Sequence, residues 1–158
     1  MCKLVLSPKI VVQTELTKIA FMKAEILRTH LVFKDLNILT VESIMEDLQK
    51  WYGQLPAEMH IANLGREELP TNVRRSICHV HLLYLGAIML LFRRVLCQAL
   101  RTYGFDNDRN ILCKLLQRLG VVMEDGLVAA KHSARILGLL LAEDGIFKRC
   151  WLVMFVVP

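Results

Sequence analysis

From Glu15 to Phe33 the apolar residues Leu16, Ile19, Met22, Ile26 and Leu27 recur at steps of three and four, while Lys18, Lys23, Glu25 and Arg28 fall at other angles. That spacing predicts an amphipathic helix. A cleaner stripe runs from about Thr40 to Tyr52, with Val41, Ile44, Met45, Leu48, Trp51 and Tyr52 on one side and Glu42, Glu46, Asp47 and Lys50 on the other. Thr40 is placed to cap its start, and Gly53 and Pro56 stop it, because glycine suits the position after a helix and proline cannot continue the ladder.

Residues 53–70 hold Gly53, Pro56, Gly65 and Pro70 among polar residues, the composition of a loop. From Pro70 a long helix is predicted to about Tyr103, apolar on nearly all sides between two arginine pairs, and a helix of that kind belongs at the centre of a bundle. Leu83, Ile88 and Leu91 are its expected core residues. Asp106-Asn107-Asp108 breaks the pattern and can cap a fourth helix, predicted to about Ala142. Its residues Leu112, Leu115, Leu119, Met123, Leu127, Ala130, Ala134, Leu137 and Leu141 hold nearly heptad spacing and are expected to face the central helix, with Gly120 and Gly126 as points of kinking or division. Phe147 to Val157 reads as a fifth apolar segment, with Trp151, Leu152, Met154 and Phe155 expected at the bundle edge.

The predicted class is therefore all-α: an irregular bundle of about five helices around a long central apolar helix. It is read as one domain over 1–158, with 53–70 separating the first two helices from the third. With 54% apolar and 22% charged residues in 158, and a mean hydropathy of +0.41, little polar surface is left to cover such a bundle. The apolar end Cys-Trp-Leu-Val-Met-Phe-Val-Val-Pro has no polar cap, so an incomplete domain with exposed apolar helix faces is expected.

Charge sharpens this picture. The net +5 arises between residues 70 and 103, where Arg74, Arg75, Arg93, Arg94 and Arg101 stand without an acid. The pairs are separated by 17 uncharged residues, which marks the two wet ends of a buried helix rather than a stripe along nucleic acid. The uncharged stretch 76–92 also meets the lower limit of a membrane span, so a small helical membrane-associated protein is the alternative.

Reactive groups form no set. Five widely spaced cysteines make neither a disulfide framework nor a zinc site, and they fit a reducing intracellular compartment. His79 and His81 lie two apart on a helix, about 200° from each other, and cannot chelate together. His132 and Ser133 are adjacent, splayed about 100° apart, and are expected at ordinary surface positions. No catalytic residues and no metal ligands are assigned, and an enzyme is not expected; His79, His81 and Tyr84 are the polar groups that a helical enzyme would have to bring together in a cavity.

Three stretches nevertheless resemble a known family. Trp51-Tyr52-Gly53-Gln54-Leu55-Pro56 resembles the W-x-x-x-L-P element in the regulatory middle homology region of fungal zinc-cluster transcription factors. Ile77 to Arg94, with His81, Tyr84 and a closing Leu-Phe-Arg-Arg, resembles that region's long His- and Tyr-bearing helix. Ala129-Ala130 through Arg135, then Lys148-Arg149-Cys150-Trp151, resemble its A-A-x-x-x-A-R segment and the R-x-W start of the next helix. Val95 stands where the family commonly has proline.

The resemblance implies a helical module that modulates transcription in the nucleus, with Trp51, Leu55, Pro56, His81, Tyr84, Arg94, Ala130, Arg135 and Trp151 as structural motif residues. The family's zinc is bound by an N-terminal six-cysteine cluster with no counterpart here. No cofactor and no sequence-specific DNA binding are therefore expected of this chain. Its expected partners are proteins, including itself, and a small-molecule effector of unspecified kind.

Overall fold

The computed structural model describes residues 7–32, 38–64, 69–102 and 109–142, with side chains described except at 29–32, 38, 98–102 and 109–123. Among the described residues every regular element is helical: α1 (Pro8–Val32), α2 (Ile38–Gly53), two single 3-10 turns (Ala57–Met59 and Ile61–Asn63), α3 (Thr71–Thr102) and α4 (Arg109–Ala142). The fold is all-α, with four α-helices among the described residues. The expected fifth segment, and Trp151 with it, lies outside the described residues.

α3 is the hub of the molecule. Its 32 residues span about 48 Å at ~1.5 Å per residue, and α1, α2 and α4 all pack on it, α1 and α4 most extensively. Pro70 precedes the first turn, where its missing N–H costs nothing, and its carbonyl accepts the amides of Val73 and Arg74. Ile77, Val80, Leu82, Leu85, Ala87, Ile88 and Leu91 are buried, so almost every face of the helix is covered. Ile88 and Leu91 are core as expected, whereas Leu83 is half-buried. Arg74, Arg75 and Arg94 are half-buried and Arg93 is exposed.

α1 begins seven residues before the expected Glu15, because Pro8 fits a first helical position and the Ser7 carbonyl accepts the amides of Ile10 and Val11. Its inner face is Val12, Ile19, Lys23 and Ile26. Lys23, expected on the polar side, is 6% exposed, with its ammonium beside Gly86 of α3, where a Cβ would stand 2.8 Å from Nζ. Burial alone pushes that ammonium's pKa down. Leu27, expected on the apolar stripe, is exposed.

α2 starts two residues before Thr40, which therefore lies inside the helix and does not cap it. Its buried side is Val41, Met45, Leu48 and Trp51, with Ile44 and Tyr52 half-buried, as the stripe predicts. The loop after it is tighter than its composition suggests. Its 3-10 turns carry Met59 and Leu64 into the core.

α4 departs from expectation in register. Gly126, Ala129, Ser133, Ile136 and Leu140 form its buried seam, itself at heptad spacing, one position away from the predicted row. Leu127 is 73% exposed, Ala130 and Ala134 are exposed, and Leu141 is 47% exposed. Two apolar stripes lie side by side on this helix, and small residues decide which one is used. At Gly126 a Cβ would meet the Phe92 ring of α3 at 2.6 Å, so only glycine allows the ring against the α4 backbone. α4 is one continuous helix through Gly120 and Gly126, which neither end nor divide it.

Candidate functional site

The end of α2, the two 3-10 turns and the middle of α3 meet in an aromatic corner. Trp51 and Tyr52 are consecutive at the last turn of α2, so their rings leave the helix about 100° apart and grip Tyr84 from two directions. Tyr52 stacks on Tyr84, with ring centroids 4.7 Å apart and planes 18° from parallel. Trp51 lies against the same tyrosine at 5.8 Å, and the edges of His60 and His81 approach Tyr52 at 5.4 and 5.8 Å. Leu55 is buried beneath this group.

Two hydrogen bonds fix the corner to its neighbours. The Trp51 indole N–H donates to Glu15 Oε2 of α1 over 2.9 Å, and the other Glu15 oxygen accepts from Lys18 Nζ at 2.7 Å. His81 is completely buried, and its Nε2–H donates to the Met59 carbonyl at 2.6 Å, tying α3 to the first 3-10 turn. Its Nδ1 has no partner. Burial, opposed by the Met59 bond and aided by nearby His60, pushes the imidazole's pKa from the usual 6.5 to about 4. His81 is therefore neutral at physiological pH. His79 points elsewhere, bonded to the Arg75 carbonyl one turn back, and is likewise pushed down by burial.

Beside this corner α2 and α4 diverge over α3, leaving a cleft of about 520 Å³. Met45, Gln49 and Tyr52 of α2, at steps of four and three, form one wall. Asp125, Val128, Ala129 and His132 of α4 form the other, with Tyr84, Leu85 and Ile88 of α3 as the floor and Ile61 and Ala62 at one end. Both tyrosine hydroxyls have raised pKa values. Burial is the main cause for each, and at Tyr84 the hydroxyl of Tyr52 and the charge of Asp125 add to it, taking it to about 12. Both are neutral donors in the physiological range.

The structure brings four of the motif residues together: Trp51, Leu55, His81 and Tyr84. Pro56 is half-buried beside them, Arg94 is half-buried at the far end of α3, and Ala130 and Arg135 are exposed. On α4 it is Ala129, not Ala130, that reaches the interior. His132 and Ser133 are not the surface pair expected: His132 lines the cleft, and Ser133 is buried in the α3–α4 seam with its hydroxyl unpartnered. Sequence reasoning did not single out Gln49 or His60, and it reads the Glu124–Asp125 carboxylate pair as an ordinary solvated position, whereas Asp125 is half-buried and lines the cleft. The usable signal was the spacing of Asp125, Val128, Ala129 and His132 along one helical face. Among the described residues no three His, Cys, Asp or Glu side chains converge into a metal cage.

No protein-family model, no curated protein and no solved structure matches this chain.

Proposed function

We propose that this chain is the regulatory, middle-homology part of a fungal-type zinc-cluster transcription factor, acting in the nucleus and working through protein contacts. The observation that carries the reading is the convergence of Trp51, Leu55, His81 and Tyr84, drawn from two separate stretches of the resemblance, in one aromatic corner beside a cleft. Residues that sit together in the motif and pack together in space are what a shared module requires. Leu127 and Leu141, exposed on one side of α4, with exposed Leu139 elsewhere on that helix and Phe21 on α1, supply apolar surface for protein partners.

The test is a fusion of the 158-residue chain between a heterologous DNA-binding domain and an activation domain, read by a reporter gene. Reporter output is expected to drop relative to the fusion without it and to recover when Tyr84→Ala disrupts the corner. Unchanged output at equal protein level overturns the proposal. The purified chain alone is expected to give no footprint on any defined DNA sequence at raised salt.

One observation favours a second reading, a membrane-associated helical protein: the stretch Thr71–Cys97 of α3 is long and apolar enough to cross a bilayer. Half of that stretch is covered by the other helices, which favours the core reading. Partition of the expressed chain into detergent-free supernatant or membrane pellet separates the two.

A further inference from the structure

We propose that the cleft between α2 and α4 binds a small organic cation with an apolar body, its charged end held by Asp125. The volume of about 520 Å³ fits a small molecule, since such sites run to roughly 300–1,000 Å³. Apolar side chains from Met45, Leu85, Ile88 and Val128 supply most of the lining, which suits an apolar body.

The charge pattern selects the sign of the ligand. The chain carries 20 Lys and Arg against 15 Asp and Glu, yet among the described residues no lysine or arginine lines this cleft, and Asp125 is the one carboxylate that does. Asp125 is half-buried and forms no ion pair among the described residues, so its charge faces the space beside Tyr84 uncompensated. A carboxylate in that position repels an anion and attracts a cation in partly desolvated surroundings. The tyrosine pair, stacked ring on ring and both lining the cleft, adds uncharged aromatic surface beside the carboxylate. Gln49 and His132 give hydrogen-bonding positions at the walls.

Binding stands on the cleft alone, and only its use as an effector site rests on the regulatory reading. The test is titration calorimetry of the purified chain with benzyltrimethylammonium, phenylacetate and benzyl alcohol, which share a ring and differ in charge. The cation is expected to bind, the anion not to bind, and Asp125→Asn to weaken the cation by about tenfold while the exposed Asp47→Asn leaves it unchanged. Val128→Lys, on a half-exposed side chain at the cleft lip, is a second variant that abolishes cation binding without touching the floor. Equal or tighter binding of the anion, no heat with the cation up to about 10 mM, or an Asp125→Asn variant that binds like the parent overturns the proposal. Adding the cation to the reporter assay separates the two readings: binding without a change in output counts against the regulatory function and leaves the site standing.

Discussion

The aromatic corner and the α3–α4 seam hold the same central helix by opposite means. At the corner, large rings and directed bonds from His81 and Trp51 fix one arrangement. Along the seam the fit comes from what is missing: Gly126, Ala129 and Ser133 let α4 approach closely, and a neighbouring leucine row is left outside. A corner of this kind tolerates little change of residue type. A seam of this kind tolerates little change of volume.

The strongest way to break both at once is to hollow the helix they share. Leu91→Ala removes a fully buried side chain and is expected to cost about 2–5 kcal/mol, read as a lower denaturation midpoint in urea. That loss is common to the two regions and sets the scale for the rest.

The corner should respond to acid where the seam does not. His81 holds its neutral form in the fold, with a pKa of about 4 against the usual 6.5, so below pH 6.5 the unfolded chain takes up a proton that the folded chain refuses. Its contribution is complete above pH 6.5, falls as pH drops toward 4 and levels off below that, a total on the order of 3 kcal/mol. Depressed His79 adds a slope of the same sign. His81→Gln keeps a donor for the Met59 carbonyl and carries no titrating proton, so urea midpoints measured across this range should show a shallower slope. An unchanged slope in that variant would place the acid sensitivity elsewhere.

The seam alone should respond to a methyl group. Gly126→Ala drives a Cβ into the Phe92 ring and is expected to cost roughly 1–3 kcal/mol despite alanine's better helix propensity. Gly86→Ala is the control, because there the new Cβ meets only the mobile end of Lys23, which swings away. That variant should be neutral or gain up to about 1 kcal/mol, and thermal melts of the pair decide between them. The smallest effect belongs to the corner again: Trp51→Phe keeps most of the ring and loses the indole bond to Glu15, for about 0.5–1.5 kcal/mol in the same melts.

The sequence showed the architecture of α3 well, since Pro70 and the flanking arginines bound an apolar run that only a central position can satisfy. It showed the inner stripe of α2 equally well, as far as Trp51. It did not show the register of α4, because two apolar rows at heptad spacing lie one residue apart there, and periodicity weighs leucine above glycine or serine. The contact that chooses between them, Phe92 on Gly126, joins residues 34 positions apart in sequence. The burial of Lys23 was hidden for a related reason, since it depends on Gly86 leaving room on another helix. Of the site, Trp51, Leu55, His81 and Tyr84 stand out in the sequence as motif residues, but their meeting in one corner does not, because it joins two separate stretches of chain. Nor does the cleft, because it is made by the divergence of α2 from α4, which no local pattern encodes.

With α3 as the shared partner of the other helices, the molecule is wired like a hub with three arms, and an arm can detach while the hub keeps its remaining covers. Opening of α1 or α4 should then be a separate, cheaper event than unfolding of α3, whose central amides should exchange with solvent only when the whole molecule opens. α2 is the exception among the arms, because the Trp51–Glu15 and Tyr52–Tyr84 contacts bind it to both α1 and α3. Anything that occupies the space between α2 and α4 would act as a clasp between two arms that otherwise meet mainly through the hub, and would convert independent openings into a single cooperative one.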